Sequence, residues 1–218
     1  MVIKKILFTT LLTTSSTFGY AGEAGPPLFH HPLYIGVMGG YGSTTWQGLV
    51  PTEENQNLAL SMSTPIDVTE GGGVWGVMAG YEFLSAFAVE FNYMRYPDAE
   101  ISFDPMSLFS FENDNLVSFK TKTETLSLMA KIMLPINNSS LRLFSSAGAA
   151  GVHREDILVD DWRLSPTFAA GLNYRFKEHF MAELAGTYSA GYGESQLNPS
   201  NTYFPFLYAV TARLAYFF

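Results

Sequence analysis

Val210-Thr211-Ala212-Arg213-Leu214-Ala215-Tyr216-Phe217-Phe218 ends the chain, and it reads as a strand with two unlike faces. Counting back from Phe218 in steps of two gives Tyr216, Leu214, Ala212 and Val210, then Tyr208, Phe206 and Phe204, all apolar. A step of two is the β period, because successive side chains of a strand point to opposite sides. One side of this strand is suited to hydrocarbon, while the other carries Thr211 and Arg213.

Seven more segments of this kind lie upstream: Leu33 to Ser43, Gly73 to Phe83, Ala86 to Tyr96, Phe119 to Leu134, Ser140 to Val152, Arg163 to Phe176 and Phe180 to Ser189. Each has an apolar face, such as Trp75, Val77, Ala79, Tyr81 and Phe83, or Leu126, Leu128, Ala130, Ile132 and Leu134. The fifth has the weakest, with Leu141 and Leu143 followed by Ser145, Ala147 and Ala149. Strands of roughly 10–14 residues suit a tilted crossing of a bilayer. The connections alternate. Leu84-Ser85, Pro135 to Ser139 and Lys177 to His179 are short turns. Thr44–Gly72, Pro97–Ser118, Arg154–Trp162 and Ala190–Tyr203 are expected to be polar loops on the opposite, external side.

The chain has 218 residues, a net charge of −8 and no Cys, which rules out a lipid-modified cysteine and any disulfide. Lys4 and Lys5, the apolar stretch Ile6 to Phe18 and the small residues around Gly19-Tyr20-Ala21 predict a signal peptide over 1–21 and Sec-dependent export. Residues 22–32 then form a periplasmic linker and 33–218 one domain. After the signal no apolar run is long enough for a spanning helix. The acidic balance argues against nucleic-acid binding.

Alternation alone fits a soluble ligand-binding barrel as well as a membrane barrel. The charges separate them. The less apolar face holds Glu82, Glu90, Lys131, Arg142, Arg175, Glu183 and Arg213, all toward the short-turn end, while the other face is rich in Phe, Tyr and Leu. Tyr and Trp fall near strand ends, as in interfacial girdles. The expectation is an all-β, eight-stranded antiparallel up-and-down transmembrane β-barrel.

Tyr34-Ile35-Gly36-Val37-Met38-Gly39-Gly40-Tyr41, Gly80-Tyr81-Glu82-Phe83, Val89-Glu90-Phe91-Asn92-Tyr93 and the Phe-terminated last strand resemble the OmpA-type eight-stranded outer-membrane β-barrel family, over roughly 33–218. The resemblance implies a bacterial outer membrane, a mostly closed lumen, and an assembly signal at Phe218, Tyr216 and Leu214 read by the barrel-assembly machinery. Members of that family commonly continue into a peptidoglycan-binding domain, which is not expected here.

The seven interior charges read either as a paired core that fills the lumen or as a gate on an ion path. His30 and His31 lie in the linker, His153 at the external end of the fifth segment and His179 in a turn. None sits in a catalytic or metal-ligand spacing, so no catalytic residue, metal or cofactor is assigned. The loops carry acids, among them Glu53, Glu54, Asp67, Glu70, Asp98, Glu100, Asp104, Glu112, Asp114 and Glu194. They suit a solvated surface, cation-bridged lipopolysaccharide or a basic partner. The expected function is structural, with surface loops for adhesion or partner binding. A narrow pore for small solutes and a lipid-modifying barrel enzyme are the alternatives. Expected partners are outer-membrane lipid, lipopolysaccharide, the assembly machinery and a host or surface ligand.

Overall fold

The computed structural model describes residues 32–50, 64–137, 139–177, 179–192 and 203–218. The expected signal peptide, linker residues 22–31, His30, His31, Glu53, Glu54 and Glu194 lie outside them. Among the described residues ten strands form: β1 Leu33–Thr44, β2 Asp67–Thr69, β3 Gly72–Leu84, β4 Phe87–Arg95, β5 Ala99–Ser102, β6 Ser118–Pro135, β7 Leu141–Glu155, β8 Asp160–Phe176, β9 Phe180–Ser189 and β10 Leu207–Phe217. Eight make the barrel, in the circular order β1-β3-β4-β6-β7-β8-β9-β10, with every neighbour antiparallel. β10 returns to β1, running from Tyr34↔Phe217 to Thr44↔Leu207, and so closes the sheet. β2 and β5 extend the far end of β6 into a small sheet outside the barrel.

Burial alternates through the spanning part of the barrel strands, without interruption in β10, and breaks down at the external ends of β1 and β8. The buried positions of β6 include Thr123, Thr125, Ser127 and Lys131, whereas Leu128, Ile132 and Leu134 are exposed. This is a soluble protein turned inside out, the pattern demanded when hydrocarbon surrounds a filled lumen. On β6 the outward residues are apolar from Leu134 to Leu126 and charged from Glu124 through Lys122 to Lys120. The apolar stretch spans roughly 20–25 Å once tilted, about the height of the hydrocarbon band. The weak face of β7 also finds its reason. Ser145 sits opposite Ala170, which sits opposite Gly186, and these small residues floor a shallow lipid-facing depression of about 470 Å³ bounded by Phe168, Tyr188 and Tyr208.

Three sequence expectations need correction. Arg154–Trp162 is not a loop: β7 runs to Glu155 and β8 starts at Asp160, leaving 156–159 as the connection. The Thr44–Gly72 and Pro97–Ser118 segments are not simply polar. They hold a 3₁₀ turn at Trp46–Leu49, β2, β5 and helix α1, Leu108–Glu112, around an apolar core. Phe204 does not face lipid. It is 1 % exposed, because the chain around Pro205 leaves the strand and regular pairing begins only at Leu207.

Leu128 and Leu172 face outward, 58 % and 41 % exposed. Arginine at either position should cost about 2–4 kcal/mol near the bilayer midplane. Refolding titrations in lipid vesicles measure it, and a neutral Leu128→Arg together with a stabilising Leu128→Ser would invert the face assignment.

Candidate functional site: a charged lumen beneath an aromatic cap

All seven charges singled out from the sequence lie in the lumen, near the short-turn end. Register explains how they meet. Arg213 pairs across to Glu183, Glu183 to Asn173, and Asn173 to Arg142, a continuous row over four strands. On the facing wall, Tyr34 pairs with Gly80 and Gly80 with Glu90. The Tyr34 ring lies over Gly80, where any Cβ would collide with it, and its hydroxyl donates to Glu90 at 2.8 Å. Glycine is therefore required at 80 for the ring to reach the next strand.

The two walls interlock. Lys131 Nζ bridges Glu90, at 3.1 Å, and Glu183. Arg213 Nη1 bridges the same two carboxylates at 3.0 and 3.2 Å. Asn173 Nδ2 donates to Glu183 at 3.0 Å, and its Oδ1 accepts from Arg142 Nε and Nη2. Arg142 and Arg175 reach opposite oxygens of Glu82 at 2.9 and 3.1 Å. Arg175 lies 4.0 Å over the Phe217 ring and Lys131 4.3 Å over Phe144. Each buried charge thus has opposite charge and hydrogen-bond partners, which is the condition for tolerating it in a low dielectric. In the sequence Tyr34 and Gly80 stand only as parts of the family motifs and Asn173 does not stand out, since alternation gives the face of a residue but not the row it joins.

Toward the external end, the lumen wall passes through Met38, Met78, Met94 and Tyr96, with hydroxyls at Thr123, Thr125, Ser127, Thr167 and Ser189. Over it sits the cap. Trp46 is fully buried against Tyr203, at 4.8 Å, and Phe119, at 6.1 Å. Phe103 stacks on Phe109 at 3.9 Å, and both contact Phe119. Arg154 lies 4.7 Å over Trp46, pairs with Asp156 at 2.6 Å and donates to the Tyr203 carbonyl at 2.6 Å. Glu70 accepts the Trp46 amide at 2.7 Å and the Thr44 hydroxyl at 3.3 Å. Segments from four connections are thereby tied over one mouth. Neither Trp46 nor Arg154 stands out in the sequence: Trp46 lies in a connection, where no period applies, and Arg154 opens the stretch that reads as a polar loop although it continues β7.

His153 stacks on Trp162 at 4.6 Å, with Nε2 2.8 Å from Asp160. His179 lies 5.6 Å from Tyr216. Among the described residues no three metal-ligating side chains cluster. Leu214, Tyr216 and Phe218 face outward, and the Phe218 amide donates to the Leu33 carbonyl at 2.9 Å.

Two outcomes follow for this site. Lys131→Met leaves Glu90 and Glu183 short of a cation and should cost about 3–5 kcal/mol in urea unfolding, with Glu183→Gln in the same chain recovering part of it. Burial lifts the Glu70 carboxyl above the usual carboxylate range, outweighing the lowering by the Trp46 and Gln47 amides and the Thr44 and Ser43 hydroxyls. A raised acid contributes stability below its unfolded value, near pH 4, and that contribution is lost as pH rises through the folded value. Hydrogen-exchange protection of Trp46 should therefore fall as pH rises above about 4, and should stay level in Glu70→Gln.

Comparison with curated protein sequences finds no match. Solved structures give the fold. Outer membrane protein AlkL in lipid bilayers shares 13 % identity over 92 % of this chain and 96 % of that one, with a TM-score of 0.53. Neisserial surface protein A shares 12 % over 85 % and 97 %, also with a TM-score of 0.53. The profile of the family described as "Outer membrane protein beta-barrel domain" matches residues 10–209. With most of its length matched and a closed, inside-out barrel, the chain belongs to this outer-membrane β-barrel family and its place is the bacterial outer membrane.

Proposed function

We propose that this protein is a non-enzymatic, closed barrel that serves the integrity of the outer membrane and holds a folded acidic cap at the cell surface for binding partners. One observation carries the reading: the lumen is filled by a paired charge network at one level and covered by an aromatic cap at another. A permanent pore needs neither, whereas a presenting scaffold gains rigidity from both. The cap's surface acids, including Asp67, Asp98, Glu100, Asp104, Glu112 and Asp114, suit basic partners or cation-bridged lipopolysaccharide. Export is by the Sec route, and Phe218, Tyr216 and Leu214 form the signal read by the assembly machinery.

Planar-bilayer recording tests the main point. The intact protein should show no steady conductance, with at most rare openings, and Lys131→Met should open more often. Steady conductance in the wild type would favour the narrow pore. Deleting Phe218 should lower outer-membrane levels severalfold without altering the charge network, as judged by immunoblots of membrane fractions. Wild-type levels would show that this residue carries no signal.

A further inference from the structure

The segment between β5 and β6 carries an apolar knob. Met106 is 72 % exposed, Phe111 65 %, Leu108 47 % and Val117 44 %. Large side chains at such exposure, grouped on one short segment, mark an interaction site more often than chance, because each would otherwise be drawn inward. The knob is also stiff. Phe103, Phe109 and Phe119 stack directly behind it. Ser107 caps α1 by accepting the Ser110 amide at 3.2 Å, and Asn113 Nδ2 donates to the Phe109 carbonyl at 2.9 Å. The Met106 amide is held by the Asp104 carboxylate at 2.8 Å, and the Asn115 amide by the Ser110 carbonyl at 2.9 Å. A preorganised apolar surface loses little entropy when it is covered.

Its height excludes lipid as the natural cover. On β6 the outward face turns from apolar to charged between Leu126 and Glu124. The knob begins beyond Ser118, a further six residues, or about 20 Å of strand, past that boundary. Its charge selects the partner. Residues 97–118 contain Asp98, Glu100, Asp104, Glu112 and Asp114 and no Lys or Arg. Asp98 and Glu100 are paired with Arg95 and Lys120 at 2.9 and 3.6 Å, and Lys122 lies against Glu155 at 3.2 Å, so the negative charge around the knob comes from Asp104, Glu112 and Asp114. Without bridging divalent cations such a surface repels the phosphates of lipopolysaccharide, whereas it attracts basic groups directly.

Resting on the partner-binding reading above, we propose that Met106, Leu108 and Phe111, rimmed by Asp104, Glu112 and Asp114, dock a basic amphipathic segment of another protein. Its aliphatic or aromatic side chains cover the knob, and its lysines and arginines meet the acidic rim. Apolar anchors supply most of the affinity and the charges supply steering and selectivity.

The test uses the full barrel in phosphatidylcholine nanodiscs and a fluorescein-labelled, 18-residue amphipathic Lys/Leu peptide as probe, with empty nanodiscs as background. Heat-modifiable gel mobility checks the fold of each variant. The wild type should bind saturably. Met106→Ser with Phe111→Ser should weaken binding at least tenfold. Asp104→Asn, Glu112→Gln and Asp114→Asn together should weaken it severalfold and flatten its salt dependence. A peptide with Glu in place of Lys should not bind. Equal affinity in the Met106→Ser, Phe111→Ser variant, or no binding to the wild type, overturns the proposal. The partner-binding reading fails separately, through steady conductance in the bilayer recording.

Discussion

Hydrocarbon offers no hydrogen-bond partner, and that one fact organises this molecule. Every N–H and C=O at membrane depth must be paired within the protein. A sheet meets this condition only by closing, which the β1–β10 and β6–β7 ladders do. Closure with eight strands fixes a bore too narrow for a water channel, so side chains fill it. Polar side chains are sent into that bore because the outer face belongs to lipid. Once inside, charges are stable only in mutual contact. The network of Lys131, Arg213, Glu90, Glu183, Arg142, Arg175 and Glu82 follows from closure rather than being added to it.

The same network specifies the barrel. A one-residue slip between β9 and β10 would turn the whole inward set of one strand to lipid, Arg213 or Glu183 included. The cost of an unpaired charge there far exceeds the difference between two apolar registers. Asn173 joins the two halves of the network, since its amide offers donor and acceptor at once: donor to Glu183, acceptor from Arg142. At the other end the cap uses aromatic packing instead, with Arg154 stacked on Trp46 and fastened to Asp156. A charged floor and an aromatic roof leave Met and hydroxyl side chains between them.

Much of this was legible in the sequence, for a physical reason. Lipid on one side and a packed lumen on the other impose a period of two on every spanning strand, so Leu126 to Leu134 on one face and Lys131 on the other read directly as outside and inside. Short turns gave the order of strands. Rows across strands were not legible, because register is set by pairing at long sequence separation. Tyr34 meets Glu90 only by way of Gly80, and Asn173 meets Glu183 only once β8 and β9 are aligned. The connections were the least legible. Arg154–Trp162 reads as polar yet continues two strands, because Lys122↔Glu155 and His153↔Trp162 sustain pairing beyond the membrane. Trp46, Phe103 and Phe109 read as scattered loop aromatics and converge only in the fold.

Ser127 lies inside the lumen, four residues along β6 from Lys131 and eight from Phe119, between floor and roof. The chain has no cysteine, so Ser127→Cys creates a single, nearly isosteric reporter of solvent access. A membrane-impermeant thiol reagent should leave it unmodified in the folded barrel for hours and label it within minutes after unfolding. Labelling of the folded barrel as fast as of the unfolded chain would contradict a lumen sealed at both ends.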